Sequence, residues 1–247
     1  MKVIAIVQAR MSSSRLPGKV LKEINSKPVL LHIIERLKRS KLLDNIVVAT
    51  SIDSSDDQIE NFCKANKILF YRGDLEDVLS RFAAATKYFN AEAVVRITAD
   101  CPLVDPIIVD TCVAGFLSGN YNFYGLSGNF PDGADCTVYS AEAIFDAAEN
   151  ATLSSDREHV GPYIERNAKT ENSGNLIMFE NCQDIRITLD EIEDFELIEK
   201  IFQHFEKSNN FIYIHEVVKF LRENPEMVKL NSHILRNEGY LNSLKND

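Results

Sequence analysis

The chain has no tryptophan, and its 247 residues include 10 glycines and 7 prolines. Glycine and proline this sparse exclude a collagenous or low-complexity chain. No apolar run approaches the ~20 residues that a membrane-spanning helix needs. No charged-then-apolar-then-small pattern marks a secretory signal, so a cytoplasmic location is expected. The five cysteines, Cys63, Cys101, Cys112, Cys136 and Cys182, are odd in number and form no C-x-x-C pair. They read as reduced thiols filling a core, which argues against a disulfide framework and a zinc site. Basic residues are fewer than acidic ones, 27 against 37, for a formal charge of −10. A broad nucleic-acid face and a membrane partner are therefore not expected. Against that background a local cluster of cations suits a small, focused anion.

What is present is ample core material, 45% hydrophobic, in a regular alternation. Val3 to Val7, Asn45 to Thr50, Ile68 to Tyr71 and Ala93 to Ile97 are short apolar, β-rich runs. Between them, Leu30-Ile33-Ile34-Leu37, Ile59-Phe62-Cys63 and Val78-Leu79-Phe82-Phe89 recur at helical spacing. Near-continuous apolar strands separated by amphipathic helices predict an α/β fold, a Rossmann-like, mostly parallel sheet with helices on both faces. After about residue 120 the rhythm changes. Strands are expected at 121–124, 136–139, 176–179 and 185–189. Helices are expected at 141–149, 155–167, around Phe195 to Phe205, and at 214–223. No linker divides the chain, so residues 1–247 are expected to form a single domain. It would carry a substrate or dimerisation region at about 120–180 and a weakly patterned, partly ordered tail at 225–247.

The first strand runs into Gln8-Ala9-Arg10-Met11-Ser12-Ser13-Ser14-Arg15-Leu16-Pro17-Gly18-Lys19. Three cations with exposed amides at the end of a buried strand make an anion receptor. Ligands of open α/β sheets bind beyond the carboxyl ends of the strands. Gly18 can take a positive φ, and Arg and Lys suit phosphate oxygens. The loop is neither G-x-x-x-x-G-K-[ST] nor G-x-G-x-x-G. Two further strands end in acids, Asp100 in ITADCPLVDP and Asp190 in RITLDEIEDFELI. Mg²⁺ takes hard oxygen ligands, typically one or two carboxylates with phosphates and waters. Asp105, just before Pro106, fits a helix cap, and Glu191, Glu193 and Asp194 fit a favourable helix dipole.

Q-A-R-x-x-S-x-R-L-P-G-K resembles the nucleotide-binding loop of the sugar-activating cytidylyltransferases, the family of CMP-Kdo and CMP-acylneuraminate synthetases. Within it the chain is most similar to the spore coat polysaccharide biosynthesis protein F type. The resemblance covers about residues 1 to 205. It implies transfer of CMP from CTP to a sugar hydroxyl with release of pyrophosphate. The acceptor would be an eight- or nine-carbon 2-keto acid sugar or a related polysaccharide precursor. It also implies Mg²⁺ as cofactor, held by Asp100 and Asp190, and a homodimer. Arg10, Arg15, Lys19 and Asp100 would be the catalytic set. Gln8, Ala9, Arg10, Ser12, Arg15, Gly18 and Lys19 would bind the nucleotide. Asp77 and Arg81 join that set because RGDLEDVLSRF resembles the family's R-G-x-x-x-D-V-L-x-R-Y. An ordinary intrahelical ion pair between those two is the structural alternative.

The acceptor is expected at two later motifs. Phe130-Pro131-Asp132-Gly133-Ala134-Asp135 resembles Y-P-x-G-L-D, with Thr137 where the family carries glutamate. Asp156-Arg157-Glu158-His159 and the residues after it resemble R-E-H-V-T-P-Y-I. Asp135, Arg157 and His159 would bind the sugar. A capping box between Ser155 and Glu158 is the structural alternative there. Two other functions fit a strand-end aspartate: a metal-dependent glycosyltransferase using a nucleotide sugar, and a non-catalytic nucleotide-binding subunit.

Overall fold

The computed structural model describes residues 1–206 and 211–247. Seven strands make one sheet: β1 (Val3–Gln8), β4 (Asn45–Ser51), β5 (Leu69–Gly73), β6 (Ala93–Thr98), β7 (Phe123–Leu126), β8 (Thr137–Ser140) and β9 (Ser173–Leu176). Their spatial order is β5-β4-β1-β6-β8-β7-β9. β5, β4, β1 and β6 are parallel, β8 is antiparallel to both β6 and β7, and β9 is parallel to β7. Only β8 therefore runs counter within this sheet, which is mostly parallel as the sequence predicts. A separate two-residue hairpin, β2 (Glu23–Ile24) and β3 (Lys27–Pro28), precedes the first long helix.

Helices cover both faces. On one side α1 (Val29–Leu37), α2 (Asp57–Ala65), α4 (Pro106–Leu117), α8 (Ile192–Glu206) and α9 (Ile214–Glu223) bury Leu30, Ile59, Val109, Ile198 and Val217 against Val7, Val48 and Val95. On the other, α3 (Val78–Tyr88), α5 (Ala141–Asn150) and α7 (Gly161–Asn167) bury Phe82, Ile144 and Ile164 against Ile4, Ile6 and Val94. Alternation along β1 and β6 sends successive side chains to opposite cores. Asp105 caps α4 by accepting from the Ile107 N–H at 2.8 Å, with Pro106 in the first turn, as the sequence suggests.

Departures from the sequence reading cluster after residue 120. The helix expected over 155–167 is broken into α6 (Ser154–His159) and α7 by Val160, at φ 67°. That conformation is strained for a β-branched residue. Val160 is fully buried in the second core, and its packing holds it there. The strand expected at 176–179 ends at Leu176. Residues 185–189 are extended but do not join the sheet edge. They pair with a loop instead: the Asp132 N–H donates to Ile185 O, and the Ile187 N–H donates to Asp132 O. The tail, expected to be only partly ordered, forms α10 (Pro225–Val228), α11 (Glu238–Ser243) and a final 3-10 turn. It folds back over the carboxyl ends of the strands. Short polar helices give little hydrophobic periodicity, so the sequence signal for them was weak.

The chain order changes direction between β1 and β6. After β1 the strands build outward to β4 and β5, and the next strand crosses to the other flank. This switch point leaves a crevice at the carboxyl ends of β1 and β6.

Gly133 keeps one wall of that crevice in place. Its φ is +97°, and a Cβ there would lie 2.6 Å from the Thr188 backbone nitrogen and 2.7 Å from the Ile187 carbonyl carbon. Backbone on both counts, neither neighbour can swing aside. Gly133→Ala is therefore expected to destabilise the fold by about 3 kcal/mol, from a left-handed conformation plus overlap. Thermal unfolding checks this; at ~2–4 °C per kcal/mol for a domain of this size the midpoint should fall by about 6–12 °C.

Candidate active site

The crevice has a volume of about 660 Å³ and draws on six parts of the chain, Asp132 and Asp135 among them. Gln8, Arg10, Ser13, Ser14, Arg15 and Lys19 come from β1 and the loop after it. Arg96, Thr98 and Asp100 come from β6 and its end, and Arg186, Thr188 and Asp190 from the extended segment. His159 and residues of α11 close the remaining side. A larger groove, about 950 Å³, lies between α8 and α9, but none of the strand-end side chains reaches it.

The centre is Lys19. Its Nζ donates to Asp100 at 3.1 Å and to Asp190 at 2.8 Å. Lys19 is 8% exposed, so this ammonium is close to fully withdrawn from water. Burial alone would lower its pKa, but the two carboxylates outweigh burial and hold it above the ordinary value. Burial works against Asp100 as well; Lys19 and the hydrogen bonds from Thr98 and Cys101 nonetheless bring it down to about 2. Lys19 and Asp100 are therefore both charged near neutrality.

Backbone contacts fix this convergence across 90 residues of sequence. The Leu189 N–H donates to Asp100 O at 2.8 Å, and the Thr188 hydroxyl donates to the same carbonyl at 3.2 Å. Asp190 therefore leaves the extended segment beside Asp100. Arg186 holds it from below, at 3.0 Å, while also pairing with Asp132 at 2.6 Å and Asp194 at 2.9 Å. The loop is anchored by Asp56, fully buried, which accepts the Met11 N–H at 2.7 Å. Gly18 takes φ +70° as expected, and its N–H closes the loop on Met11 O.

The cytidylyltransferase family model matches residues 4–224. This chain belongs to the cytidylyltransferase family. The spore coat polysaccharide biosynthesis protein SpsF of Bacillus subtilis is 32% identical over 232 residues, 91% of this chain and 95% of that one. A cytidylyltransferase structure from Leptospira borgpetersenii superposes with a TM-score of 0.86 at 30% identity, covering 96% of this chain and 98% of that one. A CMP:2-keto-3-deoxy-manno-octonic acid synthetase, solved with CTP, shares the fold with a TM-score of 0.66 at 17% identity, over 83% of this chain and 99% of that one. The chain is thus a nucleotidyltransferase by family, and its fold is that of the nucleotidyltransferases.

In this cytidylyltransferase the expected residues divide. Gln8, Arg10, Arg15, Lys19, Asp100, Asp135, His159 and Asp190 all line the crevice. Several others do not. Ser12 is exposed, and Ser13 and Ser14 line the crevice in its place. Ala9 is buried, with its N–H bonded to Ala49 O. Gly18 shapes the loop without lining the crevice. Asp77 caps α3 through the Ser80 N–H and pairs with Arg157. Arg157 also donates to Ala148 O and Ala151 O, so it ties α6 to α3 and α5 and is a structural residue. The intrahelical pair of Asp77 with Arg81 is not made. Arg81 is 1% exposed and donates to Asp74 O, while its Nε and Nη2 have no hydrogen-bond partner. The capping box of Ser155 with Glu158 is absent too. Ser155 bonds Asp247, and Glu158 accepts from Ser243.

Sequence reasoning missed Arg186, Asp194, Arg96 and the tail. Asp194 was assigned to the helix dipole; it is 0% exposed and accepts from the Asp190 and Glu191 N–H groups, Arg186 and Asn231. From the first turn of α8 it holds the Asp190 and Glu191 backbone and aims Arg186 in one arrangement. The i, i+4 spacing of Arg186 to Asp190 was visible, but only the fold shows that both are turned inward.

Asp100 and Asp190 suit a divalent cation that also binds phosphates. Among the described residues no group of three or more His, Cys, Asp or Glu is arranged to hold a metal. Two carboxylates without a third ligand fit Mg²⁺ that arrives with a nucleotide better than a caged structural ion.

Burial would raise the Asp194 pKa, but Arg186 and the two N–H donors hold it below the usual carboxylate value. A depressed folded-state pKa gives stability that is complete above the unfolded value, ~4, and lost as pH falls through the folded value. Asp194→Asn is expected to cost about 3 kcal/mol at neutral pH, because Arg186 loses a buried counter-ion. Urea unfolding should show this gap at pH 7 and a progressively smaller one below about pH 4.

Proposed function

We propose that this cytidylyltransferase transfers CMP from CTP to a hydroxyl of an acidic 2-keto sugar and releases pyrophosphate. The observation that carries the reading is the Lys19 ammonium, held between two strand-end carboxylates beside a cationic loop. Such a constellation accepts a polyphosphate together with a divalent cation. The related synthetase solved with CTP, which acts on a 2-keto sugar acid by its name, supports the same chemistry.

Each crevice residue has a role in this reading. Gln8 Oε1 is buried without a donor, and it lines the crevice. It would accept from an amino group on the base, which cytosine carries and uracil lacks. Arg15 sits among carboxylates, with Glu238 at 2.6 Å, Asp190 at 3.2 Å and Glu191 at 3.4 Å. Arg10 lies 3.9 Å from Glu158. These partly exposed pairs are weak, ~0–1 kcal/mol each, so phosphate oxygens can replace them at little cost. Asp100 and Asp190 would hold Mg²⁺, which supplies charge neutralisation for the triphosphate. Lys19 and Arg15 then donate to the oxygens of departing pyrophosphate. Charge grows on that group as the P–O bond breaks. Fixed cations there stabilise the transition state more than the ground state. Asp135, held by the Gly133 N–H at 3.0 Å, faces the acceptor side and would bind sugar hydroxyls.

Asp100→Ala is expected to cut pyrophosphate release by about 10³-fold or more, the scale of losing a main electrostatic stabiliser. Coupled pyrophosphate detection measures this; retention of more than a tenth of the wild-type rate removes Asp100 from the mechanism. With Mg²⁺ present, CTP at ~100 times its Kd should add about 2.7 kcal/mol of stability. UTP and GTP should stabilise less in the same thermal-shift assay. A better response to UTP would overturn the base assignment.

A further inference from the structure

Of the crevice cations that the nucleotide reading does not use, Arg186 is paired with Asp132, Asp190 and Asp194, and Arg96 has no ion-pair partner among the described residues. Arg96 lies on β6, and alternation puts Val94, Arg96 and Thr98 on one face of that strand, with Asp100 in the turn that follows. Val94 is buried in the core, while Arg96, Thr98 and Asp100 line the crevice. The chain therefore steps from apolar packing to an arginine floor and then to the carboxylate rim. At ~3.3 Å per residue, the Cα of Arg96 lies about 7 Å behind that of Thr98, where the strand ends. Arg15 and Lys19 sit at the rim, paired with Asp190.

The surroundings of Arg96 do not neutralise it. Its cross-strand neighbours are Ile6 on β1 and Thr137 on β8, neither of them charged. Its Nε is buried without a hydrogen-bond partner, and no carboxylate among the described residues forms an ion pair with it. The neighbouring imidazole registers the charge. His159 is held below its ordinary pKa by burial and by Arg96 and Arg10, against the opposing pull of Glu158. A half-buried guanidinium without a counter-ion costs stability. An incoming anion removes that cost, and a planar carboxylate matches the guanidinium in a bidentate pair.

Position decides which ligand brings the anion. Arg96 lies between β1, where the nucleotide loop begins, and β8, beyond the switch point on the side of Asp135 and His159. Over it, α11 makes a roof: His159 bonds the Ser243 hydroxyl at 2.9 Å and packs edge-on to Tyr240 at 5.1 Å. That roof lies outside residues 4–224, the segment matched by the family model.

We propose that Arg96 is the receptor for the acceptor's carboxylate and selects acidic over neutral sugars, beneath a roof formed by His159 and α11. This rests on the cytidylyl-transfer reading and names the part of the acceptor that the site requires. The test measures binding by calorimetry to the full chain with CTP present and no divalent cation. The probes are 2-keto-3-deoxy-manno-octonic acid, a nine-carbon 2-keto acid sugar, and the C1 carboxamide of each. Wild type should bind at least one acid about tenfold or more tightly than its carboxamide, the scale of hydrogen bonds to a charged group. Arg96→Ala should erase that ratio, and Arg96→Lys should keep part of it, with CTP affinity within about threefold in both. Arg96→Gln replaces the alanine variant if thermal melts show that it does not fold.

Three results overturn the proposal: wild type that binds acid and carboxamide alike or binds neither, a variant with the wild-type ratio, or a variant that loses CTP affinity along with the acid. Failure of the transfer reading itself is seen separately, as wild type without any response to CTP and Mg²⁺.

Discussion

The contact from Lys19 to Asp100 and Asp190 is the constraint on which the site depends. Two carboxylates facing each other at a buried strand end repel, and each carries a desolvation cost. A single ammonium between them offsets both. It brings the loop after β1, the end of β6 and the segment before α8 to one point. Arg186 extends the same logic one layer down, where it is shared by Asp132, Asp190 and Asp194. Charges of alternating sign thus run from the core to the crevice, and each is satisfied by its neighbours.

This arrangement reconciles an acidic protein with a polyphosphate substrate. The net charge of −10 would repel a nucleotide at long range. Close to the strand ends, the crevice sets five cations, Arg10, Arg15, Lys19, Arg96 and Arg186, among its carboxylates. Four of them, Arg10, Arg15, Lys19 and Arg186, are paired with carboxylates. Arg96 is not so paired. The tail adds Glu238 on Arg15 and Ser243 on His159, so a polar segment with little core of its own is held by ionic and hydrogen-bond contacts at the mouth of the site.

The first half of the fold was legible because its strands and helices bury continuous or periodic apolar faces. Val3 to Val7, Asn45 to Thr50 and Ala93 to Ile97 fall inside observed strands for that reason. Ile185 to Leu189 shows the limit of the same signal. Ile185, Ile187 and Leu189 are buried, so the segment has the pattern of a strand. Its hydrogen bonds go to Asp132 and Asp100 because Gly133 lets the backbones meet there, and the apolar pattern contains no trace of that choice. Arg157 was misread for a related cause. It stands beside His159 in sequence, but two residues apart on a helix point in different directions, and only His159 faces the crevice.

The sequence by itself determined the α/β class, the strand-end acids and the cationic loop, because these follow from local patterns of burial and charge. Tertiary structure decided which charges meet. Asp100 and Asp190 converge, Asp77 and Arg157 turn to each other, Arg96 is left without a partner, and a polar tail becomes a wall. Pairing depends on distances between segments far apart along the chain, and composition and periodicity carry no record of those distances.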